Sequence, residues 1–496
     1  MKKMRYISSQ FSMLIAFTFL FTPTYLCIDS AEDSMIIQES KWYQVYEASG
    51  TQEALSLALT QDDGYVLAGW SSKDDAAFMI KTDEVGNQEW NLTYGSGPSD
   101  VEAYDVIESS DGGYVLTGYK ESGGLFILKT DSTGNILWDK IHTKGTWGKS
   151  IVEVIDGFVI MGVSGVDTWL IKTNTTGDLI WERTFGGSSG DTGESLFQTA
   201  DAGFIMTGIT YSYDIGGGDI WVIKTDENGV EQWNRTYGGN GYDKGSDVIE
   251  TRDGCYVIVG GVSAEAAGWV DLFIMKIDTQ GNEIWTKCYG GSDGEAAKKV
   301  VQTADGSYVL TAATQSYGLS IAGGSEAWIL KLDENGDMIW NKMIGGRGTD
   351  TFADIVESAD GSFILTGLTE SFGKDGYDAW LVKCDDYPPP TLTLLNPEEN
   401  MIYIGDRKIL PSKNTIILGK KTIEVSINDP DERLQQVEFY VESSFGALYE
   451  HQIYTAPYRW VFDEPIGSYC YIGVAGYYSA NGAHVAEGLF PWMFNM

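Results

Sequence analysis

Residues 219–240 read DIWVIKTDENGVEQWNRTYGGN. An apolar run ends at Lys224, an Asp226-Glu-Asn-Gly229 turn follows, and Trp233 stands four residues beyond the glycine. The stretch closes on an aromatic residue and two glycines. Nearly the same sentence recurs after Lys81, Lys129, Lys172, Lys276 and Lys331. A repeated unit that cannot bury its own apolar face must stack on its neighbours, so the repeat sets the architecture.

Aligned on the tryptophan, the units place Trp42, Trp90, Trp138, Trp181, Trp233, Trp285 and Trp340 in one column, 43 to 55 residues apart. After each Trp come a Gly-rich link such as YGGNGYDKG, an alternating run such as SDVIET, and an acidic-Gly turn such as RDGC. A second apolar run (YVIVGG), a variable link and a third run (DLFIMKID) complete the unit. That predicts four short strands per unit. The turns need φ > 0, which glycine supplies at Gly112, Gly254, Gly306 and Gly361 in one series and Gly134, Gly229, Gly281 and Gly336 in the other.

Units of this length with four strands predict a β-propeller. Seven Trp strands, and seven strands ending at Lys81, Lys129, Lys172, Lys224, Lys276, Lys331 and Lys383, predict seven blades across residues 38–386. The chain enters on a Trp strand, SKWYQVY, and leaves on a Lys strand, DAWLVKCDD. Pairing the first strand with the last would close the ring and cover an open sheet edge. Residues 387–390, Tyr-Pro-Pro-Pro, read as a stiff linker. Residues 391–496 alternate in short strands such as QQVEFYVE and APYRWVFD, which predicts a small β-sandwich. The fold class is therefore all-β throughout.

Residues 1–30 combine Lys2, Lys3 and Arg5 with an apolar run from Phe11 to Leu26 and small residues at Ser30 and Ala31. This is the pattern of a signal peptide, with a retained N-terminal anchor as the alternative. No transmembrane span is expected after it. Lys plus Arg is 33 against 71 for Asp plus Glu, a formal charge of −38. Such a surface repels nucleic acid and anionic lipid. Five scattered cysteines without CxxC spacing predict buried thiols rather than a disulfide framework. Asn91, Asn174 and Asn234 open N-x-S/T sequons and are glycosylation candidates in an exported chain.

The Asp-x-x-Gly-x-x-x-Trp pattern at Asp131–Trp138 and Asp278–Trp285 resembles the turn-plus-Trp repeat of quinoprotein-like propellers, with a shorter Asp-to-Gly step. It also resembles the Asp-box turn of sialidases. With GGYVLTG at Gly112–Gly118, the unit looks like the repeats of large secreted archaeal and bacterial propeller proteins. The VEFYV and APYRWVFD segments resemble bacterial and archaeal immunoglobulin-like modules. These resemblances imply fold, and for the C-terminal part a spacer or adhesion role. They imply no activity.

In a propeller, the link into the first strand and the link between the second and third strands share one face. Here those links are the long ones, rich in Gly, Tyr and Asp, and long loops on a rigid ring make the natural binding surface. The candidates are Asp191, Tyr211, Tyr213, Asp214, Asp243, Trp269, Tyr317, Arg347, Asp350, Phe372 and Tyr377. Asp191, Asp243 and Asp350 also have a plain structural reading, because each fills the same slot in GGxxxD. Aromatic faces beside carboxylates suit a glycan, and equally a protein segment. Calcium could be held by so many oxygens, but no EF-hand loop is present and no cofactor is predicted. Three histidines, only His142 of them in the repeat, leave little for a His triad or a multi-His metal site.

The expectation is a secreted or cell-surface protein, monomeric, that binds an extracellular glycan or protein through this face. An extracellular polysaccharide-acting glycosidase or lyase, with catalytic carboxylates in the same loops, is the alternative. A purely structural envelope component is the third reading.

Overall fold

The computed structural model describes residues 40–386 except 47–49, 74, 96–100, 122, 214–215, 264–269, 318–323, 347 and 375, and the strands lying between 391 and 494. The expected signal segment (1–30) and linker (387–390) lie outside the described residues.

The described strands between residues 40 and 384 form antiparallel four-stranded units. One unit shows the rule. Asp243–Glu250 pairs with Tyr256–Ser263, which pairs with Val270–Ile277, which pairs with Glu283–Tyr289. The strands appear in chain order because turns of a few residues join neighbours. Five such units are separate sheets, and two are fused into one eight-stranded sheet by a single parallel bridge, Asp167 to Asp191. Ser40–Tyr46 pairs antiparallel with Asp378–Cys384, as the phase of the repeat predicts. The first strands of successive units touch one another in turn, and the last of them, Asp350–Glu357, touches the first, Gln52–Leu59. The arrangement is propeller-like.

The two landmarks of the repeat are cross-strand partners. Lys81 stands opposite Trp90, Lys224 opposite Trp233, and Lys383 opposite Trp42, with the same register in every unit. Six of the seven Trp residues pack on an aromatic residue at the start of the second strand of the next unit. Six such pairs, from Trp42–Tyr65 to Trp340–Phe363, have ring centroids 5.6 to 6.3 Å apart. The glycine of the next unit's Asp-x-x-Gly turn sits under the same indole. At Gly134 φ is 82°, and an added Cβ would lie 2.9 Å from Trp90. Glycine is therefore required twice over, for its backbone and for the space it leaves.

Each Lys reaches the acidic-Gly turn of its own unit. Lys129 meets Asp111 at 2.7 Å, Lys224 meets Asp201 at 3.0 Å and Lys276 meets Asp253 at 2.7 Å. Lys81, Lys172, Lys331 and Lys383 make the equivalent pairs. The Lys224 side chain is 3% exposed while that of Asp201 is 54% exposed. Burial works against ionisation of Asp253, but Lys276 and Thr251 outweigh it and hold the carboxyl at about 2.

The strands between 391 and 494 form two further sheets. Thr391–Asn396, Lys421–Asn428 and Arg459–Phe462 make a three-stranded antiparallel sheet. The other sheet has seven strands and includes two parallel pairings, Met401–Ile404 with Ile416–Leu418 and the latter with the end of His484–Phe494.

The lysine pair is asymmetric, and that sets a prediction. Asp201→Ala strands a buried ammonium and should lower unfolding free energy by about 3 kcal/mol. Lys224→Met replaces the ammonium with an apolar chain and leaves Asp201 in water, so its cost should stay within about 1 kcal/mol. Urea unfolding of both variants checks the order. Equal costs would contradict it.

Candidate functional site

The first strand of each unit begins at a long link. Asp191, Asp243, Glu295 and Asp350 open four of them, and all four are buried. Asp191 accepts hydrogen bonds from the Gly187 amide at 2.7 Å, the Tyr211 and Ser212 amides at 3.1 Å, and the hydroxyls of Ser212 and Thr210. Asp350 accepts from the Gly346 amide at 2.9 Å and from the Thr369 and Ser371 hydroxyls at 2.5 Å. Asp243 accepts from Gly239 and Ser263 amides, and Glu295 repeats the pattern with Gly291, Thr314 and Ser316. These acids tie two loops together.

Tyr213 and Tyr317 belong to a second repeated device, Thr-x-Ser-aromatic. The Tyr213 hydroxyl donates to the Gly186 carbonyl at 3.0 Å, and the Tyr317 hydroxyl to the Gly290 carbonyl at 2.7 Å. Their rings lean on Trp221 and Trp328 and remain 47% and 41% exposed. Phe372 fills the same slot and stacks on Trp380. Tyr377 is half-buried, and its carbonyl accepts the Gln52 amide. Tyr211 is exposed, as is Tyr242, which the sequence reading did not select. Asp214, Trp269 and Arg347 lie outside the described residues. Of the sequon asparagines, Asn91 and Asn234 lie on outer strands, and Asn174 accepts the Thr176 and Asp178 amides in its turn. No set of three or more His, Cys, Asp or Glu converges to hold a metal among the described residues.

A denser constellation lies where the seven first strands face one another. Every first strand carries a β-bulge, at Leu55, Tyr104, Lys149, Glu194, Ser246, Lys298 and Ala353. A bulge sets two residues against one on the partner strand and so re-aims side chains. The residue after each bulge forms a ring: Ser56, Asp105, Ser150, Ser195, Asp247, Lys299 and Asp354. These residues knit one unit to the next. Asp105 accepts the Ile151 amide at 2.8 Å, Asp247 the Val300 amide at 3.0 Å, and Asp354 the Leu57 amide at 2.8 Å. Ser56 donates to Asp105 at 2.8 Å and Ser195 to Asp247 at 2.5 Å.

Lys299 is the one cation of this ring, with its Nζ 3.4 Å from Asp247. About a third of its side chain is open (36%), against 2% for that of Asp247. Burial disfavours the ammonium, but Asp247, Asp354 and Asp105 together raise its pKa well above the ordinary value. Burial pushes Asp354 up to about 6, even with Lys299 and the Leu57 amide pulling it down. Burial also raises Asp105.

The sequence reading missed this ring. Its signal was present: Lys298-Lys299 interrupts the otherwise small and apolar run Ala296–Val301, and Tyr104-Asp105, Glu194-Ser195 and Ser246-Asp247 align with it.

No protein-family model matches this sequence, and no curated protein matches it. Solved structures do. One is the extracellular domain of a protein described as a hybrid two component system from B. thetaiotaomicron, at 12% identity and a TM-score of 0.44. That match covers 92% of this chain and 60% of the other, so the chain spans about three fifths of the length of its match. A puromycin hydrolase matches at 11% identity and a TM-score of 0.41, over 72% of this chain and 62% of its own. A protein of unknown function from Bacteroides caccae matches at 10% identity and 0.38, over 59% of this chain and 94% of its own.

The Asp354 carboxyl supplies the prediction. Its folded pKa lies above the unfolded value of about 4, so its protonated form favours the fold. That contribution is present below about pH 4 and is lost as pH rises through about 6. Carboxyl NMR should show the Asp354 midpoint near 6, and Lys299→Met should move it higher because a neighbouring cation is removed. A midpoint near 4 in both proteins would contradict the burial argument.

Proposed function

We propose that residues 38–386 form a seven-bladed β-propeller, joined through 387–390 to an immunoglobulin-like β-sandwich at 391–496. In this reading the N-terminal segment exports the chain, and it works at the cell surface or outside the cell. The long-loop face binds an extracellular glycan or protein. Support for the architecture comes from the four-stranded units and from first strands that touch in a closed series.

One observation carries the binding role. On the long-loop side the recurring carboxylates are committed to loop amides and hydroxyls, while tyrosine rings stay exposed: Tyr211, Tyr213, Tyr242 and Tyr317 are 41 to 47% accessible. Exposed tyrosines on well-tied loops offer contact area at small entropic cost, and their rings suit the C–H faces of sugars or a protein segment. Hydrolytic chemistry would need a free acid and a free base. The strongest observation for that second reading is Asp354, whose carboxyl near 6 suits a general acid. Its two oxygens, however, already accept the Leu57 and Ile355 amides.

The test is a glycan-array and polysaccharide-retention screen on the full chain, with and without calcium, reading released reducing ends in the same samples. The reading expects retention without product, and at least about a fivefold loss of retention in Tyr211→Ala or Tyr242→Ala. Released product would move the assignment to the enzyme. Retention unchanged in both variants would remove the long-loop face from the account.

A further inference from the structure

The junction that closes the ring differs from the others. Between Ser40–Tyr46, on the last unit, and the strands Ala76–Thr82 and Gln88–Tyr94 of the first lies a cleft of about 610 Å³, a size common for small-molecule sites. As at other junctions, the indole (Trp42) presses on a turn glycine (Gly86), and the Tyr46 hydroxyl donates to the Gly86 carbonyl at 2.8 Å. What changes is the residue two places after the tryptophan. Five units carry a cation there, at Lys140, Arg183, Arg235, Lys287 and Lys342, whereas the closing strand carries Gln44. The place in space is the same: a Cβ added at Gly86 would lie 2.8 Å from Gln44 Cγ, and one at Gly177 would lie 2.7 Å from Lys140 Cγ. Lys140 reaches across its junction to Asp178 at 2.9 Å, and Lys287 to Asp337 at 2.7 Å. Asn87 stands in the place of those acids, and Ala76 fills the slot held elsewhere by Asp167, Asp219, Asp271, Glu326 and Asp378. Amides thus replace the bridging ion pair, and Gln44, shorter than lysine, leaves the space open.

We propose that this cleft is a second binding site, separate from the long-loop face, which takes one neutral sugar unit through the amides of Gln44, Asn87, Gln88 and Asn91.

The lining selects this chemistry. Gln44, Gln52, Asn87, Gln88 and Asn91 bring five amides to the cleft. Gln88 and Asn91 share a face because their strand bulges between them, so that Thr82 pairs with Gln88 and Ile80 with Asn91. Phe78 and Ile80, two places apart on the third strand, add an apolar wall. None of the described lining residues is acidic and Lys73 is the one cation, in a chain with 71 Asp plus Glu. A side-chain amide donates and accepts, as a sugar hydroxyl does, and the C–H face of a sugar suits an apolar wall. Among the described residues the side chains of Gln52, Gln88 and Asn91 make no hydrogen bond, so they remain open to a ligand. Both walls are strands paired within their own sheets, which positions the amides before a ligand arrives. Tyr211 and Tyr242 do not line the cleft, so this site and the long-loop face can fail separately.

The experiment uses the full chain, made without glycosylation because Asn91 is also a sequon residue. Ligand-observed NMR titrates the methyl glycosides of glucose, galactose and mannose, and N-acetylglucosamine, with glutamate as the charged probe. The expected result is saturable binding of at least one sugar, tighter than that of glutamate. Gln44→Lys/Asn87→Asp, which copies the Lys140–Asp178 bridge, should weaken that binding about tenfold or more while melting no lower than the native chain. Asn91→Ala should weaken it about threefold or more, and Tyr211→Ala should leave it in place. The proposal is overturned if no sugar binds, if glutamate binds more tightly than all four sugars, or if the double variant binds as tightly as the native chain. Loss of all sugar binding in Tyr211→Ala would also overturn it, by placing the sugar on the long-loop face alone.

Discussion

A lysine ammonium is costly to bury without a partner, and this chain buries one in nearly every repeat. Each stands directly across the sheet from a tryptophan and reaches an aspartate in the turn between the first two strands of its unit. The cross-strand register, the turn and the indole are thereby fixed together. Shift the third strand by one residue and the ammonium loses its carboxylate while the indole leaves its aromatic partner. The indole in turn presses on the glycine of the neighbouring unit, so the same residue pair that sets one sheet also sets its packing on the next.

Contact between units is carried at three radii. Outside, the indole packs on the neighbour's aromatic residue and turn glycine. Midway, side chains from facing sheets form clusters such as Val257, Leu272, Tyr308 and Trp328. Inside, carboxylates and serines after each bulge bond to the amides and side chains of the adjacent first strand. The last of these is polar because backbone bulges leave amides that sheet pairing does not satisfy, and a carboxylate from the next strand answers them. Charge at the axis therefore has a structural origin in Asp105, Asp247 and Asp354.

Much of the outer and middle architecture was legible in the sequence. The Trp column, the Lys column and the Asp-x-x-Gly turns recur closely enough to count units and to predict that Ser40–Tyr46 pairs with Asp378–Cys384. Asp191, Asp243 and Asp350, which fill one slot in GGxxxD, each accept hydrogen bonds from amides of their own loops. The axial ring was not found, because its members vary from Ser to Asp to Lys and a repeat search rewards sameness. Tyr213 and Tyr317 were chosen as loop aromatics; that their hydroxyls close their own loops follows from Thr-x-Ser-aromatic, a pattern visible only once three copies are aligned. The parallel pairings between 401 and 494 had no local signal, since parallel partners are distant in sequence.

Closure of the ring is the claim on which the axis and the long-loop face both rest. Hydrogen–deuterium exchange of the full chain tests it most directly, read at the amides of Ser40–Tyr46. If that strand completes the sheet of Asp378–Cys384, its paired amides should be protected to the same degree as those of its partner and should open only with the whole ring. Exchange there at the rate of an unstructured segment, with 378–384 still protected, would contradict the closed ring.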